Sequence, residues 1–155
     1  MQKATNIEGA GATGLNAGRY LFRADDHYRG GPVGRALGAE ADAADIQNPA
    51  DHVLRKESIL TSRFTSFAME VKIARKFTLA SDDRFIRKAE LGVLKVLESR
   101  GLIKMWFADQ VFEAMKNGPG KLAKQAADVR AAMRRNHEVL IEGQIPPGIL
   151  VRVNE

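Results

Sequence analysis

Apolar and polar positions recur with changing period along this chain, and each change marks an element. Tyr20-Leu21-Phe22-Arg23-Ala24-Asp25 alternates and is β-prone, so a first strand is predicted there with Arg23 close to its exit. Ser58-Ile59-Leu60-Thr61-Ser62 has strand character and ends in hydroxyls. The period then lengthens. Phe67, Val71, Ala74 and Phe77 form an apolar stripe at helical spacing, Thr65 or Ser66 is a suitable N-cap, and a helix is predicted over 64–77. Phe85 to Ala89 reads as a short strand after the Ser81-Asp82-Asp83 turn, and Leu91, Leu94, Val96 and Leu97 sit in a helix ended by Gly101. Leu102 to Phe107 reads as another strand. Val111, Phe112 and Met115 then form the apolar face of a helix closed by Asn117-Gly118-Pro119-Gly120, and Lys121 to Arg135 is an Ala-rich helix. Val139-Leu140-Ile141 is a short apolar run that reads as a buried strand, which places Glu138 at its mouth. Gly143, Pro146, Pro147 and Gly148 break that pattern before a last apolar segment, Ile149 to Val153.

Two stretches carry no apolar period. Residues 1–17 mix Gly, Ala, Thr and Asn and read as a flexible lead-in, leaving 18–155 as a single domain. Gly9-Ala10-Gly11-Ala12-Thr13-Gly14 within it spells the dinucleotide fingerprint GxGxxG. That fingerprint works only when a buried strand feeds the loop and a helix leaves it, and neither is predicted here. The second stretch, 27–57, is rich in Gly, Ala, Asp, Arg, Asn and Pro and reads as a long ordered loop with one short helical turn, of the kind that covers a ligand.

Composition narrows the chemistry. Cysteine is absent, which excludes disulfides, zinc thiolate sites and thiol catalysis. No apolar run approaches the ~20 residues that span a bilayer. The formal charge of +5 favours nucleic acid, an acidic partner or a phosphate-bearing ligand. The basic residues of the 121–135 helix read first as a solvated face, and Met105, Trp106 and Phe112 as core. Asp25-Asp26-His27 invites a metal, yet adjacent residues point different ways and no second ligand group stands at metal spacing, so a polar loop is expected and no metal. Arg23 either pairs with a carboxylate or holds a phosphate in its planar fork; the 61–66 hydroxyls either cap a helix or brace a carboxylate.

An Arg at the end of the first strand, a Thr-Ser corner, and a Glu opening a late strand stand in a fixed order, followed by Gly143 and Ile145-Pro146-Pro147. From about Tyr20 onward this resembles the arginine-serine-glutamate class of ADP-ribosyltransferases, in particular the C-terminal toxin domains of bacterial Rhs-type and polymorphic effectors. The resemblance implies an α+β fold whose two small, mainly antiparallel sheets grip NAD+ in a cleft. It implies that Arg23 holds the phosphates or ribose of NAD+, that Thr61 and Ser62 brace the cleft and the glutamate, and that Phe64 packs on nicotinamide with the Ala24 backbone close by. Glu138 would be the catalytic residue, stabilising the oxocarbenium-like centre as nicotinamide leaves. The partners implied are a macromolecular acceptor, RNA slightly before protein, and a cognate immunity protein, with action in the cytoplasm of a target bacterium. Relatives that modify arginine often carry Glu two positions before the catalytic Glu; this chain has Asn136 there. The corner Thr61-Ser62-Arg63-Phe64-Thr65-Ser66 permits two registers, and Thr61-Ser62 is preferred because it ends the predicted strand. The rival reading is a basic RNA-binding or RNA-cleaving toxin domain that uses His27, His52 or His137 and no NAD+.

Overall fold

The computed structural model describes residues 19–25, 30–54, 62–78 and 83–153. The predicted lead-in, Asp26, His27 and Thr61 lie outside them. In chain order the elements are β1 (Tyr20–Ala24), α1 (Ala39–Asp42), α2 (Pro49–Leu54), β2 (Phe64–Ala68), α3 (Val71–Arg75), β3 (Ile86–Glu90), α4 (Leu91–Ser99), β4 (Ile103–Trp106), α5 (Ala108–Lys116), α6 (Gly120–Arg135), β5 (Glu138–Gly143) and β6 (Val151–Arg152). The fold is α+β, as expected. The strands form one antiparallel sheet in the order β4-β5-β2-β1-β3-β6, where two small sheets were expected.

That single sheet nevertheless has a seam. β2 pairs with β5 through five residues, Phe64↔Glu142 to Ala68↔Glu138, and β1 pairs with β3 through five, Tyr20↔Glu90 to Ala24↔Ile86. Between β1 and β2 the register has one pair, Phe22↔Ala68. The two halves therefore diverge from that point, and the start of β2 turns away from its neighbour.

The predicted helix over 64–77 is corrected by the same strand. Its first half is β2 and only Val71–Arg75 is helical. Phe64 packs with Val111, Met133 and Leu140 under α5 and α6, while Phe67 packs with Leu94, Val139 and Ile141 under α4. A strand covered on both faces shows no apolar-polar alternation, so its two aromatics mimicked the spacing of a helix stripe. Phe77, the last member of that stripe, is 63% exposed. Among its described residues the 27–57 loop holds two short helices rather than one turn. Asn48 Oδ1 accepts from the Asp51 amide at 2.9 Å and Pro49 opens α2, the usual opening of a helix.

The block around Pro146 acts as a strap. Val33 and Ile145 exchange two backbone hydrogen bonds, of 3.0 and 2.7 Å, and Ile145 is buried. Gly34 sits at φ +90°, and a Cβ there would stand 2.5 Å from the Gly143 carbonyl oxygen. Only glycine allows this approach, which fixes residues 33–35 against the end of β5.

Candidate active site

The site forms where β1 and β2 part. Ser66, in the middle of β2, is the meeting point: Arg23 Nη1 donates to its carbonyl at 3.3 Å, and its hydroxyl donates to Glu138 Oε2 at 2.6 Å. Ser66 and Glu138 are diagonal neighbours on one face, because Ala68 is opposite Glu138 and Ser66 opposite Leu140. Beside them lies a cavity of about 270 Å³ lined by Arg23, Val33, Gly34, Arg35, His52, Ser62, Phe64, Thr65 and Ser66.

Of the residues predicted for the site, Arg23, Ser62 and Phe64 line this cavity, and Glu138 stands one hydrogen bond behind it, on Ser66. Ala24 pairs with Ile86 and does not line it. Of the preferred hydroxyl pair, Thr61 lies outside the described residues and Ser62, on an isolated bridge to Ile46 ahead of β2, lines the cavity; among the described residues the hydroxyl that reaches Glu138 is that of Ser66. Phe64 is nearly buried, with the His52 ring edge-on at 5.9 Å.

The sequence reading of the NAD+ site named neither Arg35 nor His52 among the cavity residues, and gave His52 to the rival RNA reading alone. His52, on α2, bonds Ser62 Oγ through Nδ1 at 2.8 Å and Ser66 Oγ through Nε2 at 2.7 Å. The Asn48-Pro49 helix start was the signal that could have placed it, since a helix beginning there carries a His on its inner face.

Burial controls the charges. Burial pushes the Glu138 carboxyl up from its ordinary range, opposed in part by the hydrogen bond from Ser66. The His52 imidazole falls to about 4, first through burial and then through the charge of Arg23, so it is neutral at pH 7. Burial also lowers Arg23, against the pull of Asp25, whose Oδ2 lies 3.8 Å from Nε. Arg23 Nε is buried without a hydrogen-bond partner, the one such side-chain atom among the described residues.

Stability should record this. Between pH 6.5 and about 4 the unfolded chain binds a proton that the folded His52 refuses. The contribution of neutral His52 is therefore complete above pH 6.5 and lost as pH falls towards 4. Glu138, shifted upward, works in the opposite sense above its ordinary 4.5. Urea unfolding is expected to show the wild type losing on the order of 2 kcal/mol more than His52→Gln between neutral pH and the low end of this window. Equal losses would mean that His52 titrates normally.

Glu142, the nearest rival carboxylate, is committed to structure. Arg63 reaches its Oε2 through Nε at 2.8 Å and Nη2 at 2.7 Å, and Trp106 Nε1 donates to Oε1 at 3.0 Å. Glu142→Gln is expected to lower the unfolding free energy by about 2 kcal/mol, read from the denaturant midpoint, since it weakens a charged pair with little change in shape. No loss would show the pair to be idle.

Among the described residues no group of three or more His, Asp or Glu is placed to hold a metal, and no helix is long and apolar enough to cross a membrane. Comparison with protein families, with curated proteins and with solved structures finds no match for this chain.

Proposed function

We propose that this chain is an NAD+-dependent mono-ADP-ribosyltransferase, the toxin domain of a bacterial effector. The observation that carries the reading is the convergence on Ser66 of a guanidinium, on its carbonyl, and a carboxylate, on its hydroxyl, at the seam of a divided sheet. These are the three residue types of the class the sequence resembles, in the order of that class. A cavity of about 270 Å³ adjoins them, close to the ~300 Å³ lower end of small-molecule pockets. It would take the nicotinamide and its ribose, while Arg23 and Arg35, both on its wall, supply the positive charge a pyrophosphate requires.

In the proposed reaction the bond between ribose C1′ and the nicotinamide nitrogen breaks, and its electron pair leaves with nicotinamide, which becomes neutral. Positive charge develops at C1′ and the ring oxygen, and the Glu138 carboxylate stabilises it. An acceptor nucleophile then bonds C1′ and loses its proton to solvent. The acceptor is a macromolecule, RNA before protein on the strength of the +5 charge and of Asn136, which lies exposed where α6 turns into β5. A cognate immunity protein and action in the cytoplasm of a target bacterium belong to the same proposal.

The rival, an RNA-cleaving domain worked by histidine, has weaker support. His52 has both ring nitrogens bonded and its basicity depressed, and His137 Nδ1 pairs with Glu70 at 3.3 Å. The deciding experiment incubates the domain with adenylate-labelled NAD+ and bacterial lysate, then digests separately with RNase and protease. Label removed by either enzyme supports transfer to that class of acceptor. RNA shortening without NAD+, and no label, would replace this reading with the rival.

A further inference from the structure

We infer that His52 is a positioning residue, the centre of a one-way hydrogen-bond chain that commits the Ser66 hydrogen to Glu138 and leaves a single carboxylate oxygen for the ligand; this rests on the NAD+ reading above. The chain has four links. The Phe64 amide donates to Ser62 Oγ at 3.1 Å, Ser62 Oγ meets His52 Nδ1 at 2.8 Å, His52 Nε2 meets Ser66 Oγ at 2.7 Å, and Ser66 Oγ donates to Glu138 Oε2 at 2.6 Å. One end is an amide, which can only donate, and the other a carboxylate, which in the charged form the reaction requires can only accept.

Four hydrogens serve these four links, one each from the amide, Ser62, a neutral imidazole and Ser66. They fit in one arrangement, with the imidazole hydrogen on Nε2 and a lone pair on Nδ1. The opposite tautomer would aim two donors at Ser62 Oγ and leave the Ser66 hydrogen contested between Nε2 and Glu138. An imidazolium would strand the Ser62 hydrogen in a buried place and set a second cation near Arg23. His52 and Ser62 are both buried, so water cannot readily substitute for either.

The consequence falls on Glu138. Its Oε2 is held by Ser66, and among the described residues Oε1 takes no hydrogen bond and is not a buried orphan, so it remains open. Ser66 Oγ, receiving from His52 and giving to Glu138, cannot turn towards the cavity as a donor of its own. The chain thus fixes the rotamer of the carboxylate before any ligand arrives, which is the condition for stabilising charge that exists only in the transition state.

Two readouts test this. The first needs no ligand: ring-nitrogen spectra of histidine-labelled protein at pH 7 should show His52 as the Nε2–H tautomer. A ring hydrogen on Nδ1, or an imidazolium, would overturn the proposal. The second is kinetic. His52→Gln can still present an N–H to Ser66 and should keep kcat for nicotinamide release within about 5-fold, whereas His52→Asn, which can meet only Ser62, should lose about 30-fold in kcat with KM for NAD+ within about 3-fold. Ser62→Ala, a milder change that serves if the His52 variants fail to fold, should lose about 5-fold in kcat and show both tautomers. Equal kcat for the Gln and Asn variants, or for Ser62→Ala and wild type, would reduce His52 to a packing residue. A wild type that releases no nicotinamide would end the NAD+ reading, and the ring spectrum would still decide the hydrogen-bond chain.

Discussion

Glu138→Gln is expected to reduce nicotinamide release by about a thousandfold while NAD+ affinity and the unfolding midpoint stay close to wild type. The substitution keeps the shape of the side chain and its ability to accept from Ser66, and it deletes the negative charge. On the proposed mechanism that charge acts only as the C1′ bond opens, so the loss belongs in kcat and not in binding. The chain invests in this carboxylate: it is half-buried, desolvation raises its pKa, and among the described residues the one side chain that bonds it is Ser66. A carboxylate placed to stabilise the fold would have cationic or multiple hydrogen-bonding partners, as Glu142 has in Arg63 and Trp106. Release kinetics and calorimetry on the same preparation check the expectation, and a folded Glu138→Gln variant with wild-type kcat would remove Glu138 from the chemistry.

The second large effect belongs to Arg23. Arg23→Ala is expected to weaken NAD+ binding by about 30- to 100-fold, the equivalent of a lost charge-assisted contact of 2–3 kcal/mol. Arg23→Lys should recover part of this, since it restores charge without the planar fork that pairs with phosphate. A structural ion pair explains Arg23 poorly. Among the described residues it stands on a sheet seam with one bond to a carbonyl, an acid 3.8 Å away and a buried Nε hydrogen that nothing accepts. Burial without full partnership costs stability, and such arrangements gather at functional sites. Titration calorimetry decides between the roles: unchanged affinity in Arg23→Ala, with a lowered unfolding midpoint, would make Arg23 the seam's filler alone.

What the sequence made legible follows from which signals are local. β1, β3, α4, β4, α5 and α6 lie where the apolar periods put them and β5 where an unbroken apolar run put it, with clear stops such as Gly101 or the Asn117 to Gly120 run. β2 was hidden by being central. Its residues are covered on both sides, and Phe67 with Val71 and Ala74 lined up as if on a helix although the chain bends at Met69 and Glu70 between strand and α3. That one misreading carried the hydroxyl corner with it. With 64–77 taken as a helix, Ser66 became an N-cap, and Thr61-Ser62 was left as the brace. Once 64–68 is a strand paired to β5, the diagonal rule puts Ser66 on Glu138 without further assumption. The seam between β1 and β2 is a long-range property with no local mark, and so is the strap of Val33 on Ile145, which turns the terminal Ile-Pro-Pro block into support for the cavity wall. His52 was visible as a residue but not as a neighbour of Ser66, since 14 positions along the chain separate them.

The most direct measurement is release of free nicotinamide from NAD+ labelled in that ring, by the purified domain and by Glu138→Gln at equal concentration. The account predicts steady release by the wild type, even with water as the acceptor, and release by the variant indistinguishable from buffer. Release at the same rate by both proteins, or none by a wild type that also fails to bind NAD+ in calorimetry, would contradict it.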